Sequence, residues 1–298
     1  MPASTGHDPH LRELGAFLRT RRSELEPSDL GITRAATRSR VPGLRREEVA
    51  ERARISSDYY ARIEQGRLAP SPEVLADLAE ALRLTIDQAD YLGVLADHAG
   101  APSHVLSRGA STGDHRSPLV RPQMSRLIDQ LTDTPALVLG PRMDVLAWNA
   151  LASRVYVDFA AVPTPERNYV KLVFTDDRMR SLFDDWESVA RACVAILRRE
   201  AAANPSDPEL TSLVGELTVA DTTFAEWWAS HDVARQDFGT KLLHHPLVGD
   251  LTLDWDIFRH AASPEQQLVL NSVEPGSVTQ ERLGLLVKGP LPTQEKSS

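Results

Sequence analysis

The first 70 residues carry thirteen arginines, no lysine and ten acidic residues, a local excess of +3 in a chain whose net charge is −9. Arginine's planar, permanently charged fork binds phosphate oxygens, and the O6/N7 edge of guanine, through paired N–H donors. Several of these arginines fall in RARISSDYYARIEQGR, residues 52–67. There Arg62 follows Tyr59 by three positions and Asp58 by four, so on a helix the three share a face. Tyr60 and Ile63 are also three apart and share another face, suited to a core. Neighbouring helical positions point a quarter-turn or more apart, so Tyr59 and Tyr60 have different work to do. On composition alone an arginine-rich solvated surface is the plain alternative, and the surrounding elements have to decide.

Other chemistries find less support. His231, His244 and His245 lie near Asp232 and Asp250. Their spacing matches no zinc pattern such as two histidines four apart with an intervening glutamate. In a strand His244 and His245 point to opposite faces, which is poor geometry for a shared metal. The chain has no G-x-S-x-G elbow, no P-loop and no G-x-G-x-x-G. No catalytic residue, metal or cofactor is expected, and the protein is read as not an enzyme. The single cysteine, Cys193, excludes an intramolecular disulfide and fits a cytoplasmic location. It falls on an apolar stripe, where an inert core thiol is expected. No apolar run approaches the ~20 residues of a membrane helix. The polar start, MPASTGHDPH, lacks a signal-peptide core and reads as a disordered tail over residues 1–10.

The elements that must position these arginines are helical. Leu11, Leu14, Phe17 and Leu18 give one apolar face, in a helix ending near Leu25, before Pro27. A loop with Arg34, Arg38 and Arg40 follows, then a helix within LRREEVAERARI with Leu44, Val49, Ala50 and Ala53 on one side. Ser56 is a good N-cap for a helix to about Gln65, and Gly66 a natural stop. Ser71-Pro72-Glu73 opens the next helix with a cap, a proline and an acid in the favoured order. Thr85 and Gln88 form a capping box for a fifth helix to about His98. Five short helices make a compact bundle. Within it two helices meet at a tight turn over residues 54–56, small Ala50 lies where they cross, and the second carries polar residues at its N-terminal end. That is helix-turn-helix geometry, whose second helix enters the major groove.

On LRREEVAERARISSDYYARIEQGR followed by SPEVLADLAEALRL, residues 11–98 resemble the XRE (Cro/repressor-like) family of DNA-binding domains. The resemblance implies that Ser57, Asp58, Tyr59 and Arg62 face base edges, with Arg62 the candidate for bidentate contact to guanine. Tyr59 would stack on a thymine methyl or bind phosphate through its hydroxyl. Asp58 would accept from cytosine N4 or orient Arg62. Arg45 and Arg46, opening the preceding helix, are expected on phosphate, and Ser56 and Arg67 complete the DNA-facing set. Glu64 resembles the family's buried-edge carboxylate, paired with Arg22. Ala50, Tyr60 and Ile63 are expected to be structural. Arg54 stands where the family's turn has glycine, and a left-handed arginine there costs on the order of 1 kcal/mol.

Residues 99–121 are rich in Gly, Ser, Pro and Ala and read as a linker. A second domain over 122–288 opens with a short amphipathic helix. Strands follow at Ala136–Gly140 and Val145–Asn149 around a tight turn. A helix is predicted over 178–203, with others capped by Asp207 and Asp221. Strand signals return in TKLLHHPLVGDLTLDWDIFRH and QQLVLNSVE, and Ser277 and Gln280 form a last capping box, with a tail over 289–298. Helices flanking a small antiparallel sheet predict an α+β domain. On PALVL…DVLAWN, DWESVARACVAILRRE, DPELTSLVGELT, FAEWWASHDV, HPLVGDLTLDW and EPGS, this half resembles the MmyB-like ligand-binding domain. The resemblance implies a PAS-like fold and an apolar, acyl- or fatty-acid-like ligand. All five tryptophans lie in this half, and Trp148, Phe174, Trp186, Trp227 and Trp228 are the expected pocket lining; plain core is the alternative for each.

The expectation is a cytoplasmic regulator that binds double-stranded DNA as a homodimer on a two-fold site and senses a small apolar ligand, with no membrane partner. The alternative is a regulator whose second domain docks a protein partner.

Overall fold

The computed structural model describes residues 8–32, 43–99, 120–230, 238–260 and 263–288. Arg34, Arg38, Arg40, most of the expected linker, His231, Asp232 and the C-terminal tail lie outside the described residues. The chain divides into two compact units. The first takes the chain to Gly113 together with 198–212 and 226–234; the second takes 114–197, 213–225 and 235–298.

The first unit is built on five helices: α1 (Pro9–Glu24), α2 (Arg46–Arg52), α3 (Ser57–Glu64), α4 (Pro72–Ala81) and α5 (Ile86–His98). Their starts follow local chemistry. The Asp8 carboxylate accepts from the His10 N–H at 2.9 Å, so α1 begins at Pro9, inside the stretch read as a tail. Thr85 and Gln88 cap α5 reciprocally, at 3.3 and 3.1 Å. Leu14, Phe17, Leu18, Val49, Tyr60, Ile63, Leu78 and Leu92 form one buried core. Removing such side chains from water is the main favourable term of the fold. Gly15 lets α1 lie directly on α3: a Cβ there would stand 2.4 Å from the Glu64 carbonyl oxygen.

The second unit holds one antiparallel sheet of order β2-β1-β5-β4-β3. Its strands are β1 (Ala136–Leu139), β2 (Val145–Trp148), β3 (Phe238–His245), β4 (Gly249–His260) and β5 (Ser263–Ser272). The turn between β1 and β2 closes through the Gly140 N–H on the Asp144 carbonyl at 2.9 Å, with Met143 left-handed at φ 66°. Helices α6 (Pro122–Gln130), α7 (Ala150–Val155), α8 (Tyr169–Thr175), α9 (Asp177–Leu182) and α13 (Val278–Lys288) accompany it, as do parts of α10 (Trp186–Ala203), α11 (Pro208–Ala220) and α12 (Thr222–Ala229).

The helix predicted over 178–203 is two helices. The chain turns extended at Phe183, which bridges to Leu243 of β3, and the Asp184 N–H donates to the Leu242 carbonyl at 3.1 Å. Asp185 then caps α10, accepting from the Ser188 N–H at 3.0 Å. Backbone pairing with β3 outcompetes helical continuity at a point where two aspartates already favour a new start. Among the described residues, no helix is long and apolar enough to cross a membrane.

Candidate nucleic-acid interface and ligand cavity

The α2–α3 corner is set by three backbone groups and a glycine-like arginine. The Ala53, Arg54 and Ile55 N–H groups donate back to the Val49, Glu51 and Ala50 carbonyls at 2.9, 3.1 and 2.9 Å. Arg54 closes the turn with φ 55°, where a side chain is disfavoured by about 1 kcal/mol. Ser56 accepts from the Tyr59 N–H at 3.1 Å, so its hydroxyl caps α3. Ala50 is buried at the corner beside Val49 and Ala53.

Behind α3 lies a charged cluster. Glu64 is fully buried at the side chain. Its carboxylate accepts from Arg22 Nε at 2.9 Å and Nη2 at 3.1 Å, and from Arg46 Nε at 3.1 Å and Nη2 at 2.9 Å. Arg22, itself buried, also donates to the Leu44 carbonyl at 2.6 Å. Burial alone would raise the Glu64 carboxyl, but the hydrogen bonds from Arg22 and Arg46 more than offset it and hold the carboxyl below its ordinary value. Tyr60 is fully buried next to this cluster. Burial, then the Glu64 charge, push its phenol well above the usual value.

The structure therefore separates two arginines that are adjacent in sequence. Arg45 is exposed at the start of α2, whereas Arg46 donates to Glu64 through Nε and Nη2 while 41% of its side chain stays exposed. On the outer side of α3, Ser57, Asp58 and Arg62 are exposed, as are Ser56 and Arg67. Among the described residues no ion pair joins Asp58 to Arg62 or occupies Arg62, so its guanidinium fork is open. Tyr59 is half-buried, and its ring leans on the core formed by Tyr60 and its neighbours.

In the second unit a partly open cavity of about 110 Å³ lies between one sheet face and two helices. Leu137, Leu139, Lys241, Trp255, Ile257 and Val269 supply the sheet wall, and Tyr169 of α8 with Val189, Ala192, Cys193 and Ile196 of α10 the helical one. None of Trp148, Phe174, Trp186, Trp227 or Trp228 is among the lining residues. Trp148 packs on Phe159 and under the Arg167 guanidinium. Trp186 contacts Phe174, lies beneath Arg180 and donates from its indole to the Val173 carbonyl at 2.8 Å. Trp227 and Trp228 group with the first unit, where Arg198 stands 4.5 Å above the Trp228 ring. The tryptophan that does line the cavity is Trp255, on β4. Cys193 is buried, its thiol pushed up to about 12 by desolvation, which leaves it a weak nucleophile.

The histidines are used separately. His244 is exposed, with Nδ1 2.8 Å from Asp250 and Nε2 2.9 Å from Asp184. His245 is buried; its Nδ1 accepts from the Leu247 N–H and its Nε2–H donates to the Arg154 carbonyl. Among the described residues no group of three metal-ligating side chains comes together.

Comparison with known families agrees with this division of labour. Residues 13–92 match a family described as a helix-turn-helix domain, which spans α1 to α5. Residues 120–286 match the family described as the MmyB-like transcription regulator ligand binding domain, which includes the whole sheet and its cavity. No curated protein matches the chain significantly. With more than half its length in that second match, the chain belongs to the MmyB-like transcription regulators, carrying a helix-turn-helix domain at its N-terminal end.

Proposed function

We propose that this regulator reads a specific DNA sequence through the outer face of α3 and changes its occupancy of DNA when a small apolar molecule enters the cavity of its second domain. The observation that carries the reading is the open Arg62 fork on an exposed face of α3, held by a buried scaffold of Tyr60, Ile63 and Glu64. A rigid backing with free polar side chains is what direct readout in the major groove requires. Exposed Arg45 and Arg67 are placed to meet phosphate, and Arg46, part exposed, backs the scaffold through Glu64 and keeps donors for phosphate. The protein acts as a homodimer in the cytoplasm, on a two-fold site whose half-sites lie about one helical turn apart. It binds its ligand without turning it over.

The mostly apolar cavity supports a small-molecule ligand, acyl-like in character and held in a PAS-like domain. Two measurements test the proposal. In a binding-site selection, Arg62→Ala is expected to relax preference at one base position, at about 1–3 kcal/mol; unchanged specificity refutes the assignment of α3. Native mass spectrometry of purified protein before and after organic extraction should reveal a small apolar adduct that extraction removes; a mass unchanged under every loading condition refutes the ligand reading.

A further inference from the structure

We infer that Arg198 is a positioning residue for DNA recognition: it ties α1 to α10, the helix that supplies part of the cavity wall, so that a displacement of α10 is passed through α1 to α3. The inference deepens the proposed ligand response and rests on it.

The first unit is completed by chain that lies outside the helix-turn-helix match, residues 198–212 and 226–234. Within this unit four helices meet around one carboxylate. Arg198 of α10 donates to Glu13 of α1 through Nη1 at 2.7 Å. The Tyr91 hydroxyl of α5 donates to the same oxygen at 3.0 Å. The Trp228 ring of α12 lies 4.5 Å from the Arg198 guanidinium, a cation–π contact that offsets part of its desolvation. Only 4% of the Arg198 side chain is exposed, against 33% for Glu13. Ala202, one turn beyond Arg198, is buried in the same core as Phe17 and Tyr91. Arg21 of α1 adds a second tie by donating to the Ser230 carbonyl at 2.9 Å. Arginine keeps its charge on burial, and a buried cation that loses its counter-charge is costly. Glu13 and Arg198 therefore move together rather than apart.

Both ends of this link lead to functional surfaces. On α1, Gly15 lies against the Glu64 carbonyl of α3, and Arg22 holds the Glu64 carboxylate at 2.9 Å. On α10, Val189, Ala192, Cys193 and Ile196 line the cavity. Helical phase puts these four on one face of α10, and Arg198 with Ala202 on another. Close-packed interiors transmit small shifts rather than absorb them. What fills the cavity displaces α10, Arg198 carries Glu13 with it, and α1 re-aims α3. Linkage is reciprocal, so DNA bound on α3 biases α10 by the same factor.

That reciprocity allows a test with DNA alone. The full chain is followed by hydrogen-exchange mass spectrometry with and without a saturating duplex recovered by binding-site selection, beside a titration of the same duplex. In the wild type, DNA is expected to change exchange across residues 186–197 by about threefold or more. Arg198→Met, its fold checked by circular dichroism, should lose that change while α3 is still protected by DNA. It should bind the duplex at least about fivefold more weakly, the lower end of common coupling factors, with the preferred bases unchanged. Arg198→Lys, which keeps a cation for Glu13, should lie closer to the wild type on both readouts. Glu13→Gln breaks the pair from the more exposed side and should reproduce Arg198→Met, which keeps the test decisive if the latter does not fold. A pair that serves stability alone would leave the DNA effect on residues 186–197 unchanged in the variants. That outcome overturns the inference, as does wild-type DNA affinity in both charge-removing variants, or a wild type in which DNA leaves 186–197 untouched; all three leave the reading of α3 intact. A wild type that selects no duplex overturns the proposed function, and the inference with it.

Discussion

Glu64→Gln is the sharpest perturbation of the DNA-reading scaffold, because it keeps side-chain size and removes only the charge. In the wild type Arg22 is about as buried as its partner, with 9% of its side chain exposed, and two of its hydrogen bonds end on Glu64. After substitution a buried guanidinium keeps the Leu44 carbonyl and loses its counter-charge. Removing one member of a buried pair costs about 3–5 kcal/mol. The lower end is expected here, because Arg46 is 41% exposed and can return to water, and because glutamine retains an acceptor oxygen. About 3 kcal/mol corresponds to roughly a hundredfold faster hydrogen exchange in α1 and α3 where exchange follows opening of the unit. Exchange mass spectrometry on the full chain reads these helices separately from the sheet. A change of less than about threefold at pH 7 would refute the argument that Glu64 neutralises Arg22. The pH dependence adds a second constraint. A carboxyl held below its ordinary value contributes stability that is complete above the unfolded value of about 4.3 and is lost as pH falls through the lower folded value. The difference between wild type and variant should therefore persist from pH 7 to 5 and close only in stronger acid.

The adjacent tyrosines separate scaffold from reading surface. Tyr60→Ala, at a fully buried position, is expected to destabilise the first unit by about 3–5 kcal/mol. Tyr59→Ala should cost much less stability, because the ring is half-buried, while weakening DNA binding; the comparison is read by chemical denaturation beside a DNA titration, and equal stability losses would refute the division. Gly15→Ala should cost about 1–3 kcal/mol of stability, since its Cβ would press on the Glu64 carbonyl that α1 packs against; a neutral or stabilising substitution, as expected for an open helical glycine, would show that the two helices do not meet so closely in solution.

The helical unit was readable from sequence because its signals are local. Ser56, Ser71 and the Thr85–Gln88 pair sit at the helix starts they announce, and each makes its capping hydrogen bond. Two features there were not readable. Arg45 and Arg46 are equivalent in composition, and only the phase of α2, fixed by its start at Arg46, turns the second onto Glu64. Gly15 in an amphipathic helix looks like mere tolerance, because the carbonyl it accommodates lies 49 residues away and no local pattern reports it. The break at Phe183 was hidden for the same reason: its competitor for backbone hydrogen bonds, Leu242–Leu243, belongs to a distant strand.

The cavity shows where residue type misleads and residue parity would not. Large aromatic side chains fill space, so a tryptophan-rich segment marks well-packed regions: Trp148, Trp186 and Trp228 pack elsewhere, against rings or beneath arginines, and Trp227 also lies outside the cavity lining. The space itself is left where α10 presents Ser188, Ala192 and Cys193 to the sheet, small groups at helical spacing that could not be told from ordinary core. One usable signal was in the alternation of β3. Lys241, Leu243 and His245 share one strand face by their spacing of two, and Leu243 and His245 are buried there while His244 between them is exposed. A lysine in phase with buried positions is an inconsistency between local pattern and burial, and such inconsistencies concentrate at functional sites. Strand parity, read before aromatic content, would have put Lys241 ahead of Trp148, Trp186, Trp227 and Trp228 as a residue of the cavity wall.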